Sequence, residues 1–178
     1  MVHLRKVTHG NVRELLRLEV EEYQKTFVAS NNASIIEAYL ALANGGHAFP
    51  FGIYDDETPV GFLMIGFGTD DDWEDAPSIA RSNYNIWRLM IDKHYQHRGY
   101  GREALKLALG FVRSLPCGSA DYCYLSYEPD NVAAKALYES FGFRETGETD
   151  EDELVMALEM NAIPELYLQA YVSCANHH

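Results

Sequence analysis

Two glycines one residue apart and flanked by arginines form the stretch of this chain best suited to hold an anion. They lie in Gln96-His97-Arg98-Gly99-Tyr100-Gly101-Arg102. The apolar run before it reads as a strand and the periodic run after it as a helix. Glycine lets the backbone turn tightly and approach a ligand closely. The first free N–H groups of the helix then point outward with the positive end of the helix dipole behind them. A pyrophosphate fits that description, with Arg98 and Arg102 in position to add charge. Taken alone, the pattern also describes an ordinary tight strand-to-helix turn.

About 30 residues on, a second strand-to-helix junction adds polar chemistry. Asn131 opens a helix that carries Leu137-Tyr138 and closes at Phe141-Gly142-Phe143. Asn131, Ala134, Leu137, Tyr138, Gly142 and Phe143 together resemble the N-x-x-A-x-x-L-Y-x-x-x-G-F signature of the GNAT acetyltransferase superfamily. The glycine segment stands where that family carries its own. Tyr84-Asn85-Ile86-Trp87-Arg88-Leu89-Met90-Ile91-Asp92 with Tyr95-Gln96 resembles the bacterial spermine/spermidine and diamine acetyltransferases. So do Leu125-Ser126-Tyr127-Glu128-Pro129 and Tyr23-Gln24-Lys25-Thr26-Phe27-Val28-Ala29. The resemblance spans roughly residues 3–160.

The resemblance implies a ternary-complex N-acetyltransferase that uses acetyl-CoA as co-substrate and a small-molecule amine, a polyamine or diamine, as acceptor. Leu89, Met90 and Ile91 would end a strand that splays from its neighbour and pairs with the pantetheine arm. Gln96, His97, Arg98, Gly99, Tyr100, Gly101 and Arg102 would hold the pyrophosphate. Asn131 and Ala134 would face the pantetheine, and Tyr138 would protonate the leaving thiolate. Tyr138 also fits a purely structural role, because it shares a helical stripe with Leu137 and Phe141. The alternatives are an acetyltransferase for a peptide N-terminus or an amino-bearing antibiotic, or a non-catalytic acyl-CoA-binding module on the same fold.

The acceptor sets a further demand. An alkylammonium has a pKa of about 10.4, so near pH 7.4 about a thousandth is free amine, a handicap of roughly 4 kcal/mol. A base or a water chain must relieve it. Many amine-acetylating relatives carry a Glu where this chain has Ser126. Glu128 lies two residues on and shares the face of Ser126 if the strand continues, which makes it the candidate base. A carboxylate touching the reacting nitrogen would raise its pKa and hinder attack. Glu22, Asp72 and Glu74 are therefore candidates for gripping a distant ammonium, and equally for a solvated acidic face.

The elements that must position these groups follow from periodicity. Residues 3–7 read as a first strand, and Val12, Leu15 and Leu16 mark a helix at i, i+3, i+4. A second helix is expected over 34–43, with Ser34 as N-cap and Glu37 completing a capping box. Residues 49–54 and 60–67 form a hairpin around Asp55-Asp56-Glu57-Thr58-Pro59, and an acidic loop, 69–77, follows. Strands are expected at 84–91, 122–127, 143–146 and 154–158. The helix after Gly101 has Leu105, Ala108, Leu109 and Val112 as its core face. The expected fold class is α/β, a GNAT-like mixed β-sheet of about six or seven strands flanked by helices. Residues 1–160 form the acetyltransferase domain. Residues 161–178 form an extra C-terminal amphipathic helix, with Ile163, Leu166, Tyr167, Ala170, Tyr171 and Cys174 on one face. That much apolar surface needs a cover, either its own domain or a second subunit, and a homodimer interface is the expected one.

Composition excludes several classes. Fourteen Lys and Arg against 27 Asp and Glu give a net charge of −13, which repels phosphate backbones, so nucleic acid is not the partner. No apolar run reaches the roughly 20 residues that span a bilayer, so no membrane partner is expected. The first residues lack a secretory h-region, and a cytoplasmic location is expected. Cys117, Cys123 and Cys174 show no C-x-x-C spacing and indicate neither a disulfide framework nor a thiolate metal site. His94-x-x-His97 lacks a third ligand nearby, so no metal is expected.

Overall fold

The computed structural model describes residues 1–69, 73 and 75–175. Seven strands form one sheet: β1 (Val2–Lys6), β2 (His47–Asp55), β3 (Thr58–Phe67), β4 (Tyr84–Ile91), β5 (Tyr122–Tyr127), β6 (Arg144–Asp150) and β7 (Glu153–Glu159). Their spatial order is β1-β2-β3-β4-β5-β7-β6, and every neighbouring pair is antiparallel except β4 and β5. A strand–helix–strand order requires that parallel pair, because a parallel return needs a crossover element. The crossover is α3 (Tyr100–Arg113), with Leu105, Ala108, Leu109 and Val112 all fully buried. The remaining helices are α1 (Val12–Leu15), α2 (Asn31–Ala43), α4 (Val132–Ser140) and α5 (Glu165–Ala175).

Both faces of the sheet are covered, and β3 shows how. Leu63 and Ile65 join the core shared with α3, while Phe62 and Met64 join Ala38 and Ala41 of α2 on the other side. Alternate side chains of one strand thus fill two different layers.

The structure departs from the sequence expectation at two helix ends. The second helix starts one turn earlier than Ser34: the Ser30 side chain accepts from Ala33 N–H and is the true N-cap. Ser34 is buried inside the helix, its hydroxyl donating to the Ser30 carbonyl. Two serines four residues apart offered the same capping chemistry, and burial decided between them. In the first helix Leu15 is buried, but Leu16 stays exposed.

The larger correction concerns the C-terminal helix. Its apolar stripe does not wait for a second subunit, because it docks on α3 of its own domain. Ile163 is buried, and Tyr167 and Tyr171 pack against the main core. Phe111 meets Tyr171 edge-on at 5.5 Å between centroids. The Arg113 guanidinium donates to Glu165 at 2.7 Å and to the Ile163 carbonyl at 2.7 Å. Gly110 makes the approach possible, since a side chain there would meet the α5 backbone. Leu166, expected on the buried stripe, is exposed.

Candidate functional site

β4 and β5 begin as neighbours and then part. Their pairing is confined to Tyr84↔Cys123 and Asn85↔Tyr124, while β4 stays paired with β3 out to Ile91. An irregularity in the β3 register leaves Trp87 without a partner residue opposite it, a bulge that turns the strand at the point of divergence. The wedge between the strands opens into a cavity of about 460 Å³. Its walls include Leu89, Met90 and Ile91 from β4, Ser126 from β5 and Tyr138 from α4.

At one end of this wedge lies the glycine turn. His97 and Gly99 both have positive φ, 61° and 84°, and Gly99 is the N-cap of α3. A Cβ on Gly101 would sit 3.8 Å from both Ile91 and Leu137, an ordinary contact. The fold itself therefore tolerates alanine at Gly101, so any demand for glycine comes from what occupies the cavity. Gln96, His97, Gly99, Tyr100 and Gly101 all line it. The side chain of Gln96 has a second task. Its amide donates to the Ile91 carbonyl at 3.0 Å and to Gln24 at 2.7 Å, tying the end of β4 to the facing segment. Tyr100 turns its hydroxyl to Asp55 at 2.7 Å. Arg98 and Arg102 stand exposed outside the lining, over the rings of Tyr95 and Phe141.

Asp92 holds the opposite wall in place. It is 4% exposed and accepts from the backbone N–H of Glu19 at 2.9 Å and of His94 at 3.0 Å. Burial pushes its carboxyl up, but those backbone donors and the His94 ring outweigh it and hold it below the usual carboxylate range. The His94 ring is thus engaged with Asp92. Among the described residues no group of three His, Cys, Asp or Glu side chains could hold a metal.

On α4, the Asn131 side chain accepts from Ala134 N–H at 3.2 Å and caps the helix, and both residues line the cavity. Tyr138 is nearly buried yet reaches the lining. Burial first, and the nearby Glu153 carboxylate second, push its phenol up to about 12. It therefore keeps its proton throughout the physiological range.

Two of the expected acidic residues fall elsewhere. β5 ends at Tyr127, so the alternation that would have carried Glu128 into the cavity stops one residue short. The Glu128 carbonyl instead receives Asn131 N–H at the turn into α4, and its side chain is not part of the lining. Glu22 is exposed and paired with Lys25 at 2.6 Å, outside the lining. Asp72 and Glu74 lie outside the described residues. The carboxylate that does reach the cavity is Glu153 of β7, bonded to the Ser126 hydroxyl. Sequence reasoning missed it because it lies 27 residues from Ser126, in a run (Asp150-Glu151-Asp152-Glu153) that reads as an acidic turn. Strand register was the signal, and it is not visible before β5 and β7 are paired.

The splayed parallel strand pair, the glycine turn opening α3 and Tyr138 thus border one cavity, an arrangement with room for a long, anionic acyl donor. The chain matches the acetyltransferase (GNAT) family over residues 12–143 and belongs to it. Acetyl-CoA is the acyl donor of that family. A probable spermine N(1)-acetyltransferase of Bacillus subtilis subsp. natto is 31% identical over 163 residues, covering 89% of this chain and 99% of that protein. Among solved structures, an aminoglycoside acetyltransferase in complex with coenzyme A superposes with a TM-score of 0.72 at 19% identity, covering 91% of this chain and 96% of the other. A Vibrio cholerae spermidine N-acetyltransferase in complex with CoA and spermine gives a TM-score of 0.65 at 18% identity, covering 94% and 98%.

Proposed function

We propose that this acetyltransferase moves the acetyl group of acetyl-CoA to a primary amine of a polyamine or diamine, by direct attack within a ternary complex. The observation that carries the reading is the meeting of Tyr138 with the open edge of Leu89, Met90 and Ile91 in one cavity. Bound there, acetyl-CoA supplies a thioester carbonyl activated toward amines. The edge of β4 that β5 leaves unpaired binds and orients the pantetheine arm and offers N–H groups to the carbonyl oxygen. Residues 96–102 take the pyrophosphate, with Gly99 and Gly101 allowing close approach; Arg98 would leave the Tyr95 ring, and Arg102 its bond to Ser140 and the Phe141 ring, to add charge to it. Asn131 and Ala134 shape the far wall.

Tyr138 holds a proton at its phenol oxygen, and in this reading it gives that proton to the departing sulfur. The alternative of a binding module without catalysis leaves that proton with no task. The polyamine assignment rests on the 31% identical relative. The reading includes a homodimer in the cytoplasm, with exposed Ile36, Tyr39 and Leu40 on α2 as apolar surface for a second copy to cover. Light scattering at assay concentration tests the assembly.

The functional test is a turnover screen of acetyl-CoA against spermidine, spermine, putrescine, an aminoglycoside and a peptide, run with wild type and Tyr138→Phe. Polyamines should be preferred. The variant should lose about 10²–10⁴ in kcat while acetyl-CoA affinity is kept, that being the usual worth of general acid catalysis. A loss below tenfold would make Tyr138 a packing residue.

A further inference from the structure

The amine's proton needs an acceptor, and the expected one, Glu128, does not reach the cavity. We propose that Glu153 of β7 is that acceptor, reached through the Ser126 hydroxyl. The inference rests on the acetyltransferase reading above and names a residue that reading lacks.

The antiparallel register of β5 and β7 pairs Ser126 with Val155 and Tyr127 with Leu154. Glu153, two residues from Val155, therefore projects from the same face as Ser126. The Ser126 hydroxyl donates to the Glu153 carboxylate, and both side chains line the cavity with Tyr138. Among the described residues of the lining, Glu153 is the one carboxylate. The cations there are otherwise engaged: Arg88 with Glu37 at 2.8 Å and Lys25 with Glu22 at 2.6 Å. The charged and titratable groups facing Glu153 are Tyr138 on α4 and Asp150 opposite it on β6, and Asp150 in turn feels Glu151 and Arg88.

Placing a hydroxyl between carboxylate and nitrogen resolves a conflict. A carboxylate in contact with the ammonium stabilises the charge and opposes attack. A serine that donates to Glu153 still has lone pairs with which to accept an ammonium N–H. The proton then moves from nitrogen to Ser126 as the serine proton moves to Glu153, leaving a neutral amine and a carboxylic acid. The freed nitrogen lone pair forms the C–N bond, the C–S bond breaks, and the sulfur keeps the electron pair and takes the Tyr138 proton. The nitrogen's second surplus proton returns through solvent to the Tyr138 phenolate. Glu153 releases the first to solvent. One alkylammonium and one thioester thus give one amide, one thiol and one proton.

The test is the pH profile of kcat/KM for Glu153→Gln and Ser126→Ala, using whichever amine of the screen the wild-type chain turns over best. Acetyl-CoA affinity and melting curves are recorded alongside. At pH 7.5 Glu153→Gln should lose about 10²–10⁴, and the gap should close as pH rises toward the amine's pKa of about 10.4 and free amine becomes abundant. Ser126→Ala should lose less, because a water can stand in for the hydroxyl, and Glu153→Asp should recover part of the rate. Acetyl-CoA affinity should not move. A Glu153→Gln variant within threefold of wild type, or a gap that stays constant with pH, overturns the inference while the acetyltransferase reading stands. If Glu153→Gln fails to fold, Glu153→Ala is measured in its place, and a folded Glu153→Ala within threefold of wild type overturns it. A wild-type chain that binds acetyl-CoA yet acetylates none of the amines overturns the function and this inference with it.

Discussion

Gly110 gives a test whose sign, and not only its size, depends on where the C-terminal helix sits. In an exposed helix interior, Gly→Ala is stabilising by about 0.5–1 kcal/mol. In this structure a Cβ on Gly110 would lie 2.7 Å from Tyr171 Cβ and 2.8 Å from the Tyr167 carbonyl carbon. Those distances fall well short of ordinary contact, and the Tyr167 obstacle is backbone, which no rotamer change can move aside. α5 must retreat, loosening the Phe111–Tyr171 contact and the Arg113–Glu165 pair. Overpacking of this kind costs about 1–3 kcal/mol. Set against the helix-propensity gain, a net loss of about 1–2 kcal/mol remains, a fall in Tm of roughly 2–8 °C for a chain of this size. The assay is a pair of thermal melts, wild type and Gly110→Ala, at matched concentration. A variant as stable as wild type, or more so, would mean that α5 does not pack on α3.

Truncation after Met160 should destabilise the chain by several kcal/mol at any protein concentration, since burying each large apolar side chain is worth about 1.5–3 kcal/mol; urea denaturation reads it. Gly101→Ala should leave the melting temperature nearly unchanged while weakening acetyl-CoA binding, and Gly101→Val should weaken it further. Isothermal titration with acetyl-CoA separates this from a folding defect. Asp92 has its carboxyl lowered in the folded state, so its stabilising effect is present above the unfolded carboxylate value of about 3.9 and is lost as pH falls through the lower folded value. Asp92→Asn should therefore lose stability at pH 7 and little at pH 2.5, with melts at the two pH values as the check. Because the Tyr138 phenol is raised to about 12, kcat/KM should rise with pH and show no descending limb from Tyr138 below pH 10.

How much of this was legible in the sequence depended on how local each signal was. β4 and β5 were read to the residue because each is an apolar run bounded by turn residues, and their parallel relation followed from the helix between them. The glycine turn and the Asn131 cap were likewise legible, being properties of five to seven consecutive residues that the fold leaves intact. Ser30 and Ser34 show the limit of local reading. Both are serines able to cap, and only the burial of Ser34 within the helix separates them. The C-terminal stripe was visible as a stripe, but its partner was not. That partner is defined by Gly110, which reads in isolation as a weak point in a good helix and turns out to be the space into which α5 fits.

The base illustrates the same limit at the reacting centre. From one strand alone, the face of Ser126 is continued by Glu128, two residues on. The sheet continues that face sideways, onto β7, where register brings Glu153 against the serine. A carboxylate supplied by the neighbouring strand has a mechanical advantage over one at the end of β5. Backbone pairing on both sides holds β7 between β5 and β6, whereas Glu128 stands in the turn that leads into α4, its carbonyl accepting from Asn131 N–H. The two carboxylates can be told apart without solving a complex. If Glu153 is the acceptor, Glu128→Gln should leave kcat/KM at pH 7.5 within threefold of wild type, while Glu153→Gln lowers it by about 10²–10⁴. If Glu128→Gln loses the activity and Glu153→Gln keeps it, the β5 turn rearranges when substrate binds and the one-strand reading was the better guide.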